Sequence, residues 1–191
     1  MSILNRKALE EIGKLIDINN PKYELNYLLV DKSNVVSTNT KALCVVKHYE
    51  PVKEAFLIHG SIVKKALTER KATDFVLSKN KIVVMNDNEE LMTYSLSSSF
   101  EDFKYPDYER IFPKGLAEEC ISFTDNSQIS GICALSKVHL NPKHIPKLKS
   151  GTIKINTPDL PVLIEDGEEN IKIIVMPIVD KFKEFENEGP F

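Results

Sequence analysis

The feature that most constrains this chain is an internal repeat: a helix followed by about three strands occurs twice within residues 1–113. From Ile3 to Ile16 the apolar residues Leu4, Ala8, Ile12, Leu15 and Ile16 recur at helical spacing. Arg6, Lys7, Glu10, Glu11 and Lys14 fall on the opposite face, and Asn19-Asn20-Pro21 ends the helix. Strands are predicted over 25–30, 35–37 and 42–46, with turns at 31–34 and 38–41. The pattern then restarts. Phe56-Leu57-Ile58 reads as a short strand. Gly60-Ser61 opens a helix with Ser61 as N-cap and Ile62, Val63, Ala66 and Leu67 on its apolar side. Strands follow over 74–78, 81–85 and 91–96. Internal repetition of this kind constrains the whole fold.

Pro113-Lys114-Gly115 reads as a joint. Beyond it a reduced copy is predicted: one turn at Leu116–Cys120, a strand over Gly131–Leu140, and at most a short helix over Pro142–Lys149, interrupted by Pro146. Strands are expected over 152–156, 161–164 and 171–178. The expected organisation is one domain over 1–113, a second, reduced domain over 114–179, and a charged tail over 180–191.

Composition narrows the chemistry. Of 191 residues, 42% are hydrophobic and 28% charged, the balance of an ordinary soluble domain. No window is apolar enough to span a membrane, and the N-terminus lacks a signal-peptide pattern, so a cytoplasmic location is expected. Cys44, Cys120 and Cys133 are read as small buried hydrophobes. His59, His139 and His144 share no metal-ligand spacing, and the seven glycines form no phosphate-cradling loop, so no cofactor and no metal are expected. Cys44 and His48 share a strand face but lack a third, orienting group, which makes an enzyme the weaker reading.

Several segments resemble the bacterial DNA polymerase sliding clamp, the β subunit of DNA polymerase III. Tyr105-Pro106-Asp107-Tyr108-Glu109-Arg110-Ile111-Phe112-Pro113 resembles the phenylalanine-proline-aspartate-tyrosine segment leading out of that family's middle domain. Ile174-Val175-Met176-Pro177-Ile178 resembles its methionine-proline-methionine ending, and Leu160-Pro161-Val162-Leu163-Ile164 the strand before it. Asn141-Pro142-Lys143 and Phe56-Leu57-Ile58-His59-Gly60 resemble two further helix starts, and all five segments occur in the family's order. The resemblance implies an α+β DNA-clamp (processivity) fold, with repeated helix-plus-strand units and helices on one side of curved antiparallel sheets. It also implies a non-enzymatic processivity factor that encircles duplex DNA and holds a polymerase.

Two surfaces are implied. An apolar pocket for peptides of polymerases and clamp loaders maps onto Thr38, Leu43, Pro106, Arg110, Ile111, Val175, Met176, Pro177 and Ile178. Prolines stiffen such a groove and methionine adapts to different anchors, although the same residues also suit an ordinary core and strand edge. A sequence-neutral DNA-facing surface maps onto Arg6, Lys7, Lys14, Lys64, Lys65, Arg70, Lys71, Lys143 and Lys147, with Lys149 beside them. A solvated helix face is the alternative there. The acidic run Glu165–Glu169 should then face away from DNA, which would reconcile a net charge of −3 with encirclement.

The chain departs from the family in length and in one loop. The family's threonine-aspartate-glycine-histidine-arginine loop stands here as Thr38-Asn39-Thr40-Lys41-Ala42. Family rings use about six domains, so a two-domain chain would close as a homo-oligomer, with a homotrimer favoured. The alternatives are a clamp-like adaptor or decoy that binds polymerase peptides without encircling DNA, and a hydrolase using Cys44 and His48. Phe182, Phe185 and Phe191 of the tail would be able to fold back and compete for the pocket.

Overall fold

A computed structural model describes residues 2–48, 50–96, 105–112, 120–168 and 170–178. Pro113 and the tail, with its three phenylalanines, lie outside the described residues. The repeat is present three times, each copy being a strand, a helix and three strands. Unit one is β1 (Ser2–Asn5), α1 (Arg6–Leu15), β2 (Tyr27–Val30), β3 (Asn34–Thr38) and β4 (Ala42–Lys47). Unit two is β5 (Phe56–His59), α2 (Gly60–Ala66), β6 (Asp74–Leu77), β7 (Lys81–Asn86) and β8 (Glu89–Ser95). Unit three is β9 (Ile121–Phe123), α3 (Ser127–Leu135), β10 (Gly151–Lys154), β11 (Val162–Asp166) and β12 (Ile171–Val175).

Three local expectations are corrected. The start of the first predicted helix, Ile3 and Leu4, is strand, and α1 begins only after Asn5, whose side chain accepts the Ala8 N–H at 2.9 Å as an N-cap. His59, not Ser61, caps α2: its Nδ1 accepts the Ser61 N–H at 3.3 Å. The strand expected over Gly131–Leu140 is instead α3, which ends at Leu135. Its short apolar run is ambiguous by itself, and the pair that decides it, Ile129 and Cys133, lies one helical turn apart with both residues buried.

Units one and two interlock. The sheet orders are β1-β6-β7-β8 and β5-β2-β3-β4, so each unit's leading strand pairs in the other unit's sheet. Swapping the two units maps one order onto the other, the topological signature of a two-fold arrangement. Unit three behaves differently: β9 pairs with β10 of its own unit. The joint between the two regions is a strand pair. β12 runs antiparallel to β4, from Ile171 opposite Val46 to Val175 opposite Ala42, so one eight-stranded sheet crosses it.

Alternation along these strands sorts side chains onto two faces. Val35, Ala42, Cys44, Val46, Ile173 and Val175 face the helices and join the main core, which also takes in α1, α2 and the four-stranded sheet. Val36, Leu43, Val45, Leu163 and Ile174 face the other way and form a second cluster. Close approach between helices rests on glycine. A Cβ on Gly60 would stand 2.1 Å from Ile16 Cγ2, and one on Gly13 would stand 3.0 Å from Leu67 Cδ1 of the α2 end. Among the described residues no helix is long and apolar enough to cross a membrane.

Candidate functional site

The outer face of the eight-stranded sheet, above the β4–β12 joint, carries an apolar floor crossed by the segment 105–112. Tyr105, Ile111 and Phe112 pack on the cluster that contains Leu43 and Ile174. The segment is fastened by its tyrosines. The Tyr108 hydroxyl donates to Asp31 Oδ2 and accepts from Asn34 Nδ2 at 3.1 Å, while Asp31 Oδ1 accepts the N–H groups of Ser33 and Asn34 at 2.8 and 2.7 Å. Burial and the hydrogen bond to Asp31 raise the Tyr108 phenol to about 12. The Tyr105 hydroxyl donates to the Val36 carbonyl at 3.4 Å, and burial pushes its phenol up as well.

The β3–β4 loop and the end of β12 form a rim beside this floor. Thr38 is buried opposite Leu43 and its hydroxyl donates to the Ala42 carbonyl at 2.9 Å, so it closes the loop instead of facing solvent. Thr40 takes a left-handed φ of 73°, and Asn39 Oδ1 accepts the N–H groups of Lys41 and Ala42 at 3.1 and 2.9 Å. The Met176 N–H donates to the Lys41 carbonyl at 2.8 Å, and the Ile178 N–H to the His139 carbonyl at 2.7 Å. Both side chains stay open, Met176 at 40% and Ile178 at 54% exposure, with Pro177 half-buried between them.

The residues assigned to a pocket from the sequence therefore separate. Leu43 and Ile111 meet in the outer cluster, and Met176, Pro177 and Ile178 stand at its rim beside the β3–β4 loop. Pro106 is half-buried on the crossing segment. Arg110 points to solvent and pairs with Asp107 at 2.8 Å. Val175 lies on the helix-side face, in the main core. Its neighbour Ile174 occupies the outer face. Strand parity from the exposed Met176 identifies Ile174 on sequence alone, and that signal was missed.

The basic residues also divide. Arg6 donates to the carbonyls of Glu69, Ala72 and Leu67 at 2.7, 3.3 and 3.2 Å and pairs with Glu10, so it ties α1 to the end of α2. Lys7 bonds Asp166 of β11 at 2.6 Å, and Lys14 bonds the buried Glu11, which also accepts the Lys147 N–H at 3.2 Å. These contacts hold α1 across the joint. Lys64, Lys65, Arg70, Lys71, Lys143, Lys147 and Lys149 are exposed. Lys7, Lys14 and Lys147 share an open cleft of about 350 Å³ with Glu10 and Glu11.

The acidic run splits by strand parity. Glu165 faces outward between Lys172 and Lys154 at 2.8 and 3.4 Å, whereas Asp166 turns to the helix side and meets Lys7. Burial opposes ionisation of Glu165, but the hydrogen bond and charge of Lys172, with Lys154, hold its carboxyl below the usual range.

Cys44 and His48 do not form a nucleophile–base pair. Cys44 is fully buried and its thiol is pushed far up by burial and by Glu11. Both ring nitrogens of His48 face carbonyl oxygens, of Glu50 at 2.7 Å and Asp31 at 3.0 Å, which leaves none for a base. Cys133 is buried as expected, but Cys120 is exposed. Among the described residues no cluster of metal-ligating side chains occurs.

No protein-family model matches the sequence, and no curated protein aligns with it significantly. Solved structures do. The sliding clamp of Caulobacter crescentus superposes with a TM-score of 0.65 at 15% identity, over 93% of this chain and 65% of that one. The Helicobacter pylori β clamp bound to a DNA ligase peptide gives 0.63 at 17% identity, over 93% and 65%. The DNA polymerase III β subunit of Pseudomonas aeruginosa gives 0.60 at 15% identity, over 91% and 63%. The chain thus spans somewhat less than two thirds of the length of these clamps, and across nearly all of its own length it has the fold of the bacterial DNA polymerase III β clamp.

Proposed function

We propose that the chain is a clamp-type processivity factor: it assembles around duplex DNA and holds a polymerase through a short peptide seated at the β4–β12 joint. One observation carries the reading. Beside the apolar cluster of Leu43 and Ile174, which Tyr105, Ile111 and Phe112 cover, the joint carries an open rim in which Met176 and Ile178 are exposed and Pro177 is half-buried. A linear peptide inserting apolar anchors there meets walls already ordered by the Tyr108 fastening, which limits the entropic cost of binding. The H. pylori clamp, of the same fold, is seen bound to a DNA ligase peptide. Arg110 and Pro106 would border the peptide. Thr38 would support it indirectly, by fixing the loop.

The DNA-facing surface rests on the helix side, where Lys64, Lys65, Arg70, Lys71, Lys143 and Lys147 are exposed. None sits in a base-reading arrangement with partner side chains, as sliding requires. Arg6, Lys7 and Lys14 are engaged within the protein and contribute through field more than contact. The reading needs no enzymatic step, no cofactor and no membrane. It requires further copies of the chain to complete a ring, and among the described residues β8 is a sheet-edge strand in the place that β4 holds in unit one. A second reading is a clamp-like adaptor or decoy that binds polymerase peptides without encircling DNA.

Fluorescence anisotropy with clamp-binding peptides of polymerase and clamp-loader type tests the pocket. Met176→Asp should weaken binding by about tenfold or more, because it places a charge on an apolar anchor site; unchanged affinity removes the pocket. Retention on nicked circular DNA with loss on linearisation separates the ring from the adaptor.

A further inference from the structure

The rim of the proposed peptide seat is bracketed by two loops. On one side the Lys41 carbonyl of the β3–β4 loop accepts the Met176 N–H at 2.8 Å; on the other the His139 carbonyl of the α3–β10 connection accepts the Ile178 N–H at 2.7 Å. A side-chain contact joins the two loops, Asn39 Nδ2 with His144 Nδ1 at 3.5 Å. Both partners are held. Asn39 Oδ1 is taken up by the N–H groups of Lys41 and Ala42, so the amide turns its NH2 to the imidazole. His144 ends the short turn Pro142–His144, which Asn141 caps by accepting the Lys143 N–H at 3.0 Å, and its own N–H donates to the Asn141 carbonyl at 2.9 Å. An amide NH2 only donates. Nδ1 must therefore offer its lone pair, which places the proton of the neutral ring on Nε2. A second proton would set two donors face to face.

The surroundings oppose that second proton. Burial, then Lys41 across the gap and Lys143 on the same turn, hold the imidazole below its ordinary range. Glu11 and Lys14 of α1 line a small cavity with His144, and Leu15 of α1 and Ile173 of β12 supply its apolar walls. Glu11 would favour the cation, but its carboxylate is already engaged by Lys14 and by the Lys147 N–H.

We infer that His144 is a positioning residue for the peptide seat: as a neutral ring it accepts from Asn39, closes the two loops around the end of β12 and sets Met176 and Ile178 for a partner peptide, and as a cation it releases that bracket. This role rests on the peptide reading above and adds a proton-linked control to it. The bracket is complete at neutral pH and above, and it is lost as pH falls below the ordinary imidazole range. His144 need not touch the peptide, because it acts through Asn39 and the Lys41 carbonyl.

Two measurements on the full chain test this. Nitrogen-15 NMR of the imidazoles should show His144 as the Nε2–H tautomer at neutral pH, and the Met176 amide signal should move with the His144 titration. Anisotropy with a rhodamine-labelled, histidine-free clamp-binding peptide of polymerase type should show affinity falling about threefold or more between about pH 7.5 and about pH 5. His144→Asn keeps an acceptor near the Nδ1 position and cannot titrate, so it should bind as the wild type does at neutral pH, with a flat profile. His144→Lys fixes a charge there and should bind weakly throughout, its fold checked by circular dichroism. His139→Gln, which alters the exposed imidazole beside the rim, should leave the wild-type profile in place. An Nδ1–H tautomer, a Met176 signal indifferent to the titration, an unchanged fall in His144→Asn, or full affinity in His144→Lys overturns the inference. Failure of the peptide reading has a different signature: the Met176 signal follows His144, yet neither the wild type nor any variant binds the peptide at any pH.

Discussion

Units one and two exchange their leading strands, while unit three keeps its own, although all three share one order of elements. Exchange joins the first two into a single core, with the glycines of α1 and α2 set for close helix contact. Unit three leans instead on the β4 edge and on α1, through Asp166 with Lys7 and the Lys147 N–H with Glu11. The same order of elements thus gives an interlocked pair in units one and two and a docked unit in the third. Completeness is a property of the pair, not of the unit.

Disturbing the pair should cost most. Gly60→Val puts a branched side chain where a Cβ already stands 2.1 Å from Ile16 and 3.0 Å from the Asn26 carbonyl. A loss of about 3 kcal/mol or more is expected in urea unfolding, with the pair and the lone unit unfolding together. A smaller effect is expected at the seam. Lys7→Met removes the ammonium beside Asp166, which is 2% exposed, and should cost about 2–3 kcal/mol. Hydrogen exchange should then accelerate in β11 and β12 ahead of β6 and β7. Acceleration spread evenly over both regions would mean that the lone unit has no separate stability.

The opposite sign is expected within the lone unit. Gly131→Ala should stabilise by about 0.5–1 kcal/mol, since alanine is the better helix former and nothing among its neighbours opposes its Cβ. Acid offers the mildest probe. The Glu165 carboxyl is lowered on folding, so its contribution is complete at neutral pH and fades as pH falls below the usual carboxylate range. Since Lys154, Glu165 and Lys172 all belong to unit three, acid should loosen that unit first, and Glu165→Gln should flatten its acid profile.

Much of this architecture was legible in the sequence, because hydrophobic periodicity and turn residues mark strands and helices locally. The two copies in residues 1–96, the order of the last three strands and the α+β fold all followed from such marks. What escaped needed knowledge of partners. The strands β1 and β9 are short, and their identity comes from pairing with β6 and β10, not from their own pattern. The run Gly131–Leu140 reads as a strand, whereas the burial of Ile129 and Cys133 marks one helical stripe. At the candidate site, Met176, Pro177 and Leu43 were legible as motif, but the choice of Val175 over Ile174 ignored parity. The structural duties of Arg6, Lys7 and Lys14 were illegible for another reason: a cation facing a distant carbonyl or carboxylate looks, in sequence, like a cation facing a phosphate.

The joint between the regions has a mechanical consequence. It is laced three times, by the β4–β12 ladder through the middle, by Lys7 and Glu11 beneath, and by the segment 105–112 packed on Leu43 and Ile174 above. Parting it would break all three at once. A closed ring of the kind proposed above would therefore have no gate within a molecule. On the reading proposed above, a duplex would enter only where one molecule meets the next, and whatever admits it would work on those seams and leave the proposed peptide seat undisturbed.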